Sequence, residues 1–186
     1  MTSVVAITLH EDAGFCNAVR KSLLDDVKSW APSRVTFRLN TSCQTDEFLA
    51  HRIGLIPFHR CKAHGLGTLH LRASGPTIVR AGDFTGSAFE PVHPEIEIMM
   101  LGEGQEFDLD VEFDECIAST HARYSPCAAV GMEKIGDKQH RITFEVSGPK
   151  TAHELYHEAL DALEARVDAA LQSLAHQPET PPPSMC

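Results

Sequence analysis

Apolar residues recur along the chain with two different periods, and each change of period marks the border of an element. Residues 3–10 and 34–41 alternate loosely between apolar and polar side chains and are rich in β-branched residues, which predicts two strands. Residues 14–30 instead repeat their apolar positions every three or four residues, which predicts a helix that Asp12 caps and Pro32 ends. The apolar positions of this helix are Phe15, Ala18, Val19, Leu23, Val27 and Trp30.

The middle of the chain reads as a series of short strands. Residues 107–115 alternate strictly, with Phe and aliphatic residues on one face and only Asp and Glu on the other, which predicts a half-buried strand. Further strands are predicted at 68–74, 128–135 and 140–147, and turn signals such as Gly75-Pro76 and Gly82-Asp83 separate short strands between 75 and 101. Together with the helices, this pattern predicts an α+β fold.

The last predicted element is a helix of about six turns over residues 151–177. Thr151 and Glu154 have the spacing of a capping box at its start. Its apolar stripe is longer than one face of so small a sheet can cover, so packing on its own domain and pairing with a partner helix both remain open. The Pro-rich residues 177–186 cannot continue the helix and are predicted to be a disordered tail.

Composition narrows the class of protein. The formal net charge is −10, which argues against a dominant role in gripping nucleic acid. Residues 34–80 hold seven Lys/Arg against two acids, whereas residues 90–115 hold ten acids and no Lys/Arg. Segments of opposite charge are typical of solvated faces, or of surfaces that bind protein partners of complementary charge.

The cellular compartment follows from what the sequence lacks. No apolar run approaches the ~18 residues that span a bilayer, and the N-terminus has neither a basic n-region nor a long apolar h-region. The six cysteines form no CxxC pair, so reduced thiols are expected. We therefore predict an intracellular soluble protein of the nucleus or cytoplasm, with no membrane contact.

The segment TDEFLAHRIGLIPF, residues 45–58, raises the question of a site. On a helix, Glu47 and His51 would share one face, one turn apart, with Arg52 beside them. This arrangement fits a metal site, an acid/base pair or a polar docking surface. A zinc helix of the HExxH kind needs two histidines four residues apart, and here there is only one. The sequence offers no substrate cue for acid/base catalysis.

Two other segments carry candidate chemistry. His59, Cys61 and His64, with His70 nearby, could hold zinc, although their spacing matches no common finger. This leaves a small metal-dependent hydrolase as an alternative function. His121, Arg123 and Tyr124 form a loop between two strands with the composition of an interface hot spot. There is no GxSxG elbow, no phosphate-binding Gly-rich motif and no aromatic-basic platform for nucleic acid.

Several segments together resemble one protein family, the α-like subunits of multisubunit DNA-directed RNA polymerases. This family comprises the third-largest subunit of the eukaryotic enzymes and its archaeal D-type counterpart. The strongest resemblance is DEFLAHRIGLIP at 46–57. The other similar segments, in order, are NAVRK at 17–21, EPVHP at 90–94, GQE at 104–106, ASTHARYSP at 118–126 with AAV at 128–130, and FEVSG at 144–148.

The resemblance implies a discontinuous α/β dimerisation domain, residues 1–40 and 140–176, and an inserted, mostly β domain, residues 41–139. The first and last helices would pair with a small L-like RNA polymerase subunit of the archaeal kind. The implied dimerisation residues are Phe15, Val19, Leu23, Val27, Leu160, Leu163, Val167, Leu171 and Leu174. The second-largest subunit would dock on Glu47, His51, Arg52, His121, Arg123 and Tyr124.

The implied role is a non-catalytic assembly scaffold, with DNA reached only through the complex and no catalytic residue, metal or other cofactor. Two features depart from the family. The cysteine-rich metal loop that many members carry after the DEFLAHR helix is shortened here to His59, Cys61 and His64. The chain is also short, which would fit a reduced homologue from a large DNA virus, located in the virion or host cell. A homodimeric interaction module outside transcription remains a further alternative.

Overall fold

The computed structural model describes residues 4–61 and 67–175, so His64 and the predicted tail at 177–186 lie outside the described residues. Over these ranges the chain forms ten strands, three α-helices and two short 3₁₀ turns, which confirms the α+β class. The strands are β1 (Val4–Leu9), β2 (Lys28–Asn40), β3 (Phe58–Arg60), β4 (Leu69–Ser74), β5 (Thr77–Arg80), β6 (Phe89–Pro91), β7 (Glu97–Leu101), β8 (Glu106–Ile117), β9 (Cys127–Gly136) and β10 (Gln139–Val146). The helices are α1 (Ala13–Asp25), α2 (Asp46–Gly54) and α3 (Ala152–Ala175).

Both ends of the chain share one hydrophobic core, which we call the terminal core. Strands β1, β10 and β9 form an antiparallel sheet in that order, and α1 and α3 pack against it. The buried hydroxyl of Ser22 on α1 donates a 2.7 Å hydrogen bond to the carbonyl of Ala159 on α3, which ties the two helices together. The terminal core comprises Val19, Leu23, Val27, Cys127, Ile142, Phe144, Leu155 and Ala159.

A second and larger core, the central core, lies between α2 and the strands from β2 to β8. Strands β2, β8 and β4 form its three-stranded antiparallel sheet, and the pairs β3–β6 and β5–β7 pack around it. Aromatic rings fill its middle: Phe89 stacks on Phe113 with ring centroids 3.9 Å apart, and Phe58 meets Phe113 edge to face. This core holds α2 in place.

The sheet pairing groups two strands differently from the boundaries expected from the sequence. Strand β2, within the expected segment 1–40, pairs with β8 of the central core. Strand β9, within the expected segment 41–139, pairs with β10 of the terminal core. The unit built from both chain ends therefore consists of β1, α1, β9, β10 and α3.

The predicted end of the first helix is wrong by five residues. The helix was expected to run to Trp30, but α1 ends at Asp25, and Trp30 lies in β2 opposite Glu115. Asp25 and Asp26 put negative charge at the helix C-terminus, where the helix dipole is unfavourable to it. From Lys28 onward the backbone pairs with β8, and Pro32 sits at a break in the register of that ladder, where a missing N–H is tolerated.

Part of the opposed charge of the sequence is paired within the chain, on the outer face of β8. The predicted alternation of β8 is confirmed, with the apolar side chains buried and the acids facing outward. Basic side chains of β2 and β4 lie across from those acids on the same face. The ion pairs are Arg34–Glu112, Arg38–Asp108, Arg38–Asp110 and Arg72–Asp108, with His70 bonded to Asp110. This face is thus a set of cross-strand pairs rather than two patches that await partners of opposite sign.

The cysteines of the described residues are all free thiols, as the sequence predicted. The buried thiol of Cys127 donates to the carbonyl of Leu23 at 3.1 Å, and burial raises its pKa to about 11. Burial also raises the pKa of the Cys16 thiol. Both side chains act as small apolar groups rather than as nucleophiles.

Candidate functional site

Helix α2 is favoured by a capping residue and by charged residues at its ends, which can be read directly from the sequence. The Thr45 side chain caps it by accepting from the backbone N–H of Phe48 at 3.4 Å. Asp46 and Glu47 occupy the first turn, and His51 and Arg52 occupy the last, so each charge suits the nearer end of the helix dipole. Leu49 and Ile53 are fully buried in the central core and fix the helix to it.

The polar residues of α2 face outward, but one apolar residue does so too. Glu47, His51 and Arg52 are exposed, as a docking helix requires. Phe48 also faces outward and is 50% exposed. The buried face of so short a helix is narrow, because only Leu49, Ile53 and Gly54 of the helix are buried.

Arg52 is held in place by its own chain. Its guanidinium Nη2 donates a 2.8 Å hydrogen bond to the carbonyl of Glu97 in β7, 45 residues further along. The side chain is therefore oriented before any partner arrives, while much of the guanidinium stays exposed. Such pre-organisation lowers the entropy cost of binding.

The loop between β8 and β9 forms a 3₁₀ turn, Ala122–Tyr124, capped by His121. The imidazole Nδ1 of His121 accepts from the Arg123 backbone N–H at 3.1 Å and from its Nε at 3.3 Å, which places the ring proton on Nε2. Arg123 Nη1 donates to the carbonyl of Pro32 at 2.8 Å. The turn and its arginine are thus rigidly tied to β2.

Tyr124 does not serve as the surface anchor that the sequence suggested. Its side chain is only 7% exposed, and burial raises its pKa. The carbonyl of Tyr124 accepts a 2.5 Å hydrogen bond from the hydroxyl of Ser29, so both its ring and its backbone are used inside the fold. Its contribution is to hold the loop in position.

Helix α2 and this loop meet at Gly54, about 70 residues away from the loop in sequence. A Cβ at Gly54 would lie 3.6 Å from Cζ of Arg123, so the guanidinium packs over the last turn of the helix. The distance is an ordinary van der Waals separation, so the guanidinium lies in close contact with the helix at this point. We call the outcome the helix–loop surface, which comprises Glu47, His51, Arg52, His121 and Arg123.

An apolar cleft of about 410 Å³ borders this surface. The cross-strand pair Ile78 and Met100 and the ring of Phe48 form its exposed apolar wall, with Arg52 at its edge. We refer to it as the α2 cleft. Sequence reasoning missed it because the β5–β7 pairing that brings Ile78 and Met100 together is not local. The one available local signal was the apolar residue Met100, within the short strands predicted between 75 and 101.

The far half of α3 presents a second surface. Leu155 and Ala159 are buried, and Leu160 and Leu163 pack partly against the terminal core. Beyond Leu163 every described residue of the helix is exposed. Val167, Leu171 and Leu174 are 51%, 59% and 63% exposed, and we call these three residues the α3 stripe.

The expected dimerisation residues therefore fall into two groups. Val19, Leu23 and Val27 are buried in the chain's own terminal core, where a partner cannot reach them, and Val27 lies beyond the end of α1. Phe15 on α1 is 42% exposed and remains accessible, as does the α3 stripe. An ion pair at 2.6 Å between Arg166 of α3 and Asp26 ties the start of the exposed half to the body.

Comparison with known proteins identifies the family. The chain is 31% identical over 169 residues to DNA-directed RNA polymerase subunit Rpo3 of Methanocaldococcus jannaschii, a match that covers 90% of this chain and 88% of that protein. It belongs to the Rpo3 family of RNA polymerase subunits. No protein-family model matches the sequence.

Other members of the family are longer than this chain. It is 34% identical over 124 residues to Rpo3 of Pyrococcus furiosus and 30% identical over 171 residues to subunit RPAC1 of RNA polymerases I and III from Bos taurus. The chain spans about half the length of each, 48% and 49%. These matches confirm the resemblance inferred from DEFLAHRIGLIP and the other similar segments. They also confirm a role in transcription as an RNA polymerase subunit.

The described part of the chain gives no support to the alternative metal centre. His59 lies on β3 opposite Glu90, whereas His70 lies on β4 and is bonded to Asp110. Burial and the nearby Glu90 raise the pKa of the Cys61 thiol, which disfavours the thiolate that binds metal. Within 4–61 and 67–175, no three His, Cys, Asp or Glu side chains are grouped to hold an ion.

None of the helices in the described ranges combines the length and apolar character needed to cross a bilayer. The 24-residue α3 is long enough, but it carries six charged residues between positions 154 and 168.

Proposed function

We propose that this member of the Rpo3 family is a non-catalytic assembly subunit of a DNA-directed RNA polymerase. The observation that carries the proposal is the α3 stripe. A helix of 24 residues spans about 36 Å, and the described residues of its own fold cover only the first half. An isolated amphipathic helical end is marginal in water, so a partner helix would supply the missing contacts.

The partner proposed for the α3 stripe is a small L-like subunit of the archaeal kind. The terminal core, with its two helices on one sheet, would be the dimerisation domain. Phe15 and the α3 stripe supply exposed apolar area on both helices of that unit. The resulting heterodimer would be the platform on which the large catalytic subunits assemble, inside the cell.

The helix–loop surface and the α2 cleft are the proposed docking site for the second-largest subunit. Arginines and aromatic residues dominate interface hot spots, and here Arg52 and Arg123 are both pre-oriented, with Arg52 at the edge of the cleft. The arrangement offers a central apolar pocket with a polar rim, as stable interfaces do.

Arg52→Ala should weaken binding of the large subunit while the heterodimer stays intact. An interface arginine costs ~2 kcal/mol or more when truncated, which corresponds to about a 30-fold rise in Kd. The measurement is the affinity of purified heterodimer for the second-largest subunit. Arg34→Ala is the matched control, because Arg34 is also an exposed arginine, but it pairs with Glu112 on the β8 face. Equal affinities for Arg52→Ala and the unaltered chain would refute the docking role.

The acidic row of β8 is not proposed to bind catalytic magnesium. Its carboxylates point along a strand face about 7 Å apart, and basic side chains already pair with Asp108 and Asp110. We expect the triple change Asp108→Asn, Asp110→Asn, Asp114→Asn to leave nucleotidyl transfer by the assembled polymerase unaltered. The free chain should lose only the stabilisation of the ion pairs that Asp108 and Asp110 form with exposed arginines, about 1 kcal/mol each. Loss of transfer in a fully assembled enzyme would contradict this assignment.

The most direct test of the proposal as a whole is purification of the chain from its native cell and identification of the chains that accompany it. We expect a small L-like subunit and at least one large polymerase subunit. Recovery of the chain without any large polymerase subunit would overturn the assembly role.

A further inference from the structure

The first turns of α3 carry a pair of histidines that neither proposed docking surface uses. His153 and His157 are four residues apart, so they lie on one face of the helix, and both are exposed. Their Nε2 atoms are 3.1 Å apart, and their ring centroids are 4.3 Å apart. The capping box of Thr151 and Glu154 fixes the helix start just before them.

The separation of the two nitrogens suits a single metal ion. Bonds of about 2.0–2.1 Å to two neighbouring ligands at angles near 90–110° place the ligand nitrogens about 2.9–3.4 Å apart. The observed 3.1 Å falls within this range. Without an ion, a hydrogen bond between the two imidazoles holds the rings at the same distance.

We propose that His153 and His157 chelate one divalent transition-metal ion through their Nε2 atoms. Imidazole nitrogen favours Cu²⁺, Ni²⁺ and Zn²⁺ over Mg²⁺ and Ca²⁺, and the general order of affinity places Cu²⁺ first. No third His, Cys, Asp or Glu within the described ranges joins the pair in a metal-binding group, so water fills the other positions. Asp161, one turn further along the same face, stays outside the site.

A bound ion would act on α3 itself. It would link two successive turns of the helix whose far half carries the α3 stripe, and so would oppose fraying from the N-terminal end. The site needs little rearrangement, since the helix and its cap are already formed and both rings already converge. Because it lies in the half of α3 that packs on the terminal core, it does not depend on the proposed partner.

The test is metal titration of the full chain after removal of any affinity tag. We expect Cu²⁺, measured in competition with a chromophoric chelator, to bind at one site, with Ni²⁺ and Zn²⁺ weaker. Either His153→Ala or His157→Ala should lower the Cu²⁺ affinity at least ~10-fold, since one imidazole cannot chelate. A free metal concentration 100 times Kd should raise Tm by on the order of 5 °C in the unaltered chain, and this rise should vanish in both variants.

Two control variants and one spectrum show whether the ion binds at His153 and His157 or at other residues. Asp161→Asn and His59→Ala should bind Cu²⁺ as the unaltered chain does, and the electron paramagnetic resonance spectrum should show two coordinated nitrogens. The proposal fails if the double variant His153→Ala/His157→Ala keeps the affinity, if the spectrum shows one nitrogen, or if His59→Ala removes binding. Helical content without metal should be the same in all variants, because both histidines are exposed.

Discussion

Replacing Leu171 and Leu174 with glutamate should abolish heterodimer formation and leave the chain folded. Both side chains are more than half exposed in the free chain, so the change removes little from its own core. Burial of a leucine side chain against a partner contributes about 1.5–3 kcal/mol, so two of them account for at least a ~100-fold difference in Kd. The measurement is binding to the small L-like subunit by calorimetry.

A control of identical charge is available on the same helix. Ala165 and Ala169 lie about half a turn away from the α3 stripe and are also exposed. Ala165→Glu/Ala169→Glu adds the same two charges to α3 but should bind the partner normally. If both double variants lose binding equally, charge rather than the stripe is responsible, and the proposed contact is refuted.

The same pair of variants addresses the rival occupant of the stripe, a second copy of this chain. The mass of the free chain in solution gives its oligomeric state. A monomer that becomes a 1:1 complex with the L-like subunit supports the heterodimer. The opposite result would be a homodimer of the unaltered chain that persists when the L-like subunit is added. If Leu171→Glu/Leu174→Glu splits that homodimer, the results would favour a self-pairing module.

Features that depend on neighbours in sequence could be predicted. The strict alternation at 107–115 predicted β8 and its buried face correctly, because a half-buried strand that alternates apolar and polar residues can bury only its apolar face. The Asp12 cap and the Thr151–Glu154 capping box both form as expected, since their partners lie three residues away. The DEFLAHR segment was recognisable as a helix for the same reason.

Features that depend on distant partners could not be predicted. Trp30 continues a helical pattern, and only the ladder with β8 turns it into a strand residue. Arg34, Arg38 and Arg72 look like a basic patch until the sheet sets them against the acids of β8. The candidate site shows the same limit, because the meeting of Gly54 with Arg123 requires the central core to bring α2 and the 121–125 loop together.

The neighbours Leu49 and Phe48 should separate the stability of α2 from its docking role. Leu49 is fully buried in the central core, so Leu49→Ala should lower the free energy of unfolding by about 2–5 kcal/mol. Phe48 is half exposed on the wall of the α2 cleft, so Phe48→Ala should change stability by less than about 1 kcal/mol. Chemical denaturation of the free chain measures both values.

Binding should show the opposite order. Phe48→Ala removes an aromatic ring from the proposed contact and should raise the Kd for the second-largest subunit about 10-fold or more, as truncation of an interface aromatic does. Leu49→Ala, assayed well below its Tm, should retain more of that affinity because its side chain never reaches the surface. The exposed ring of Phe48 would then contribute to binding and add little to the stability of the free chain. Normal binding by Phe48→Ala would exclude the α2 cleft from the interface and leave only the polar helix–loop surface for docking.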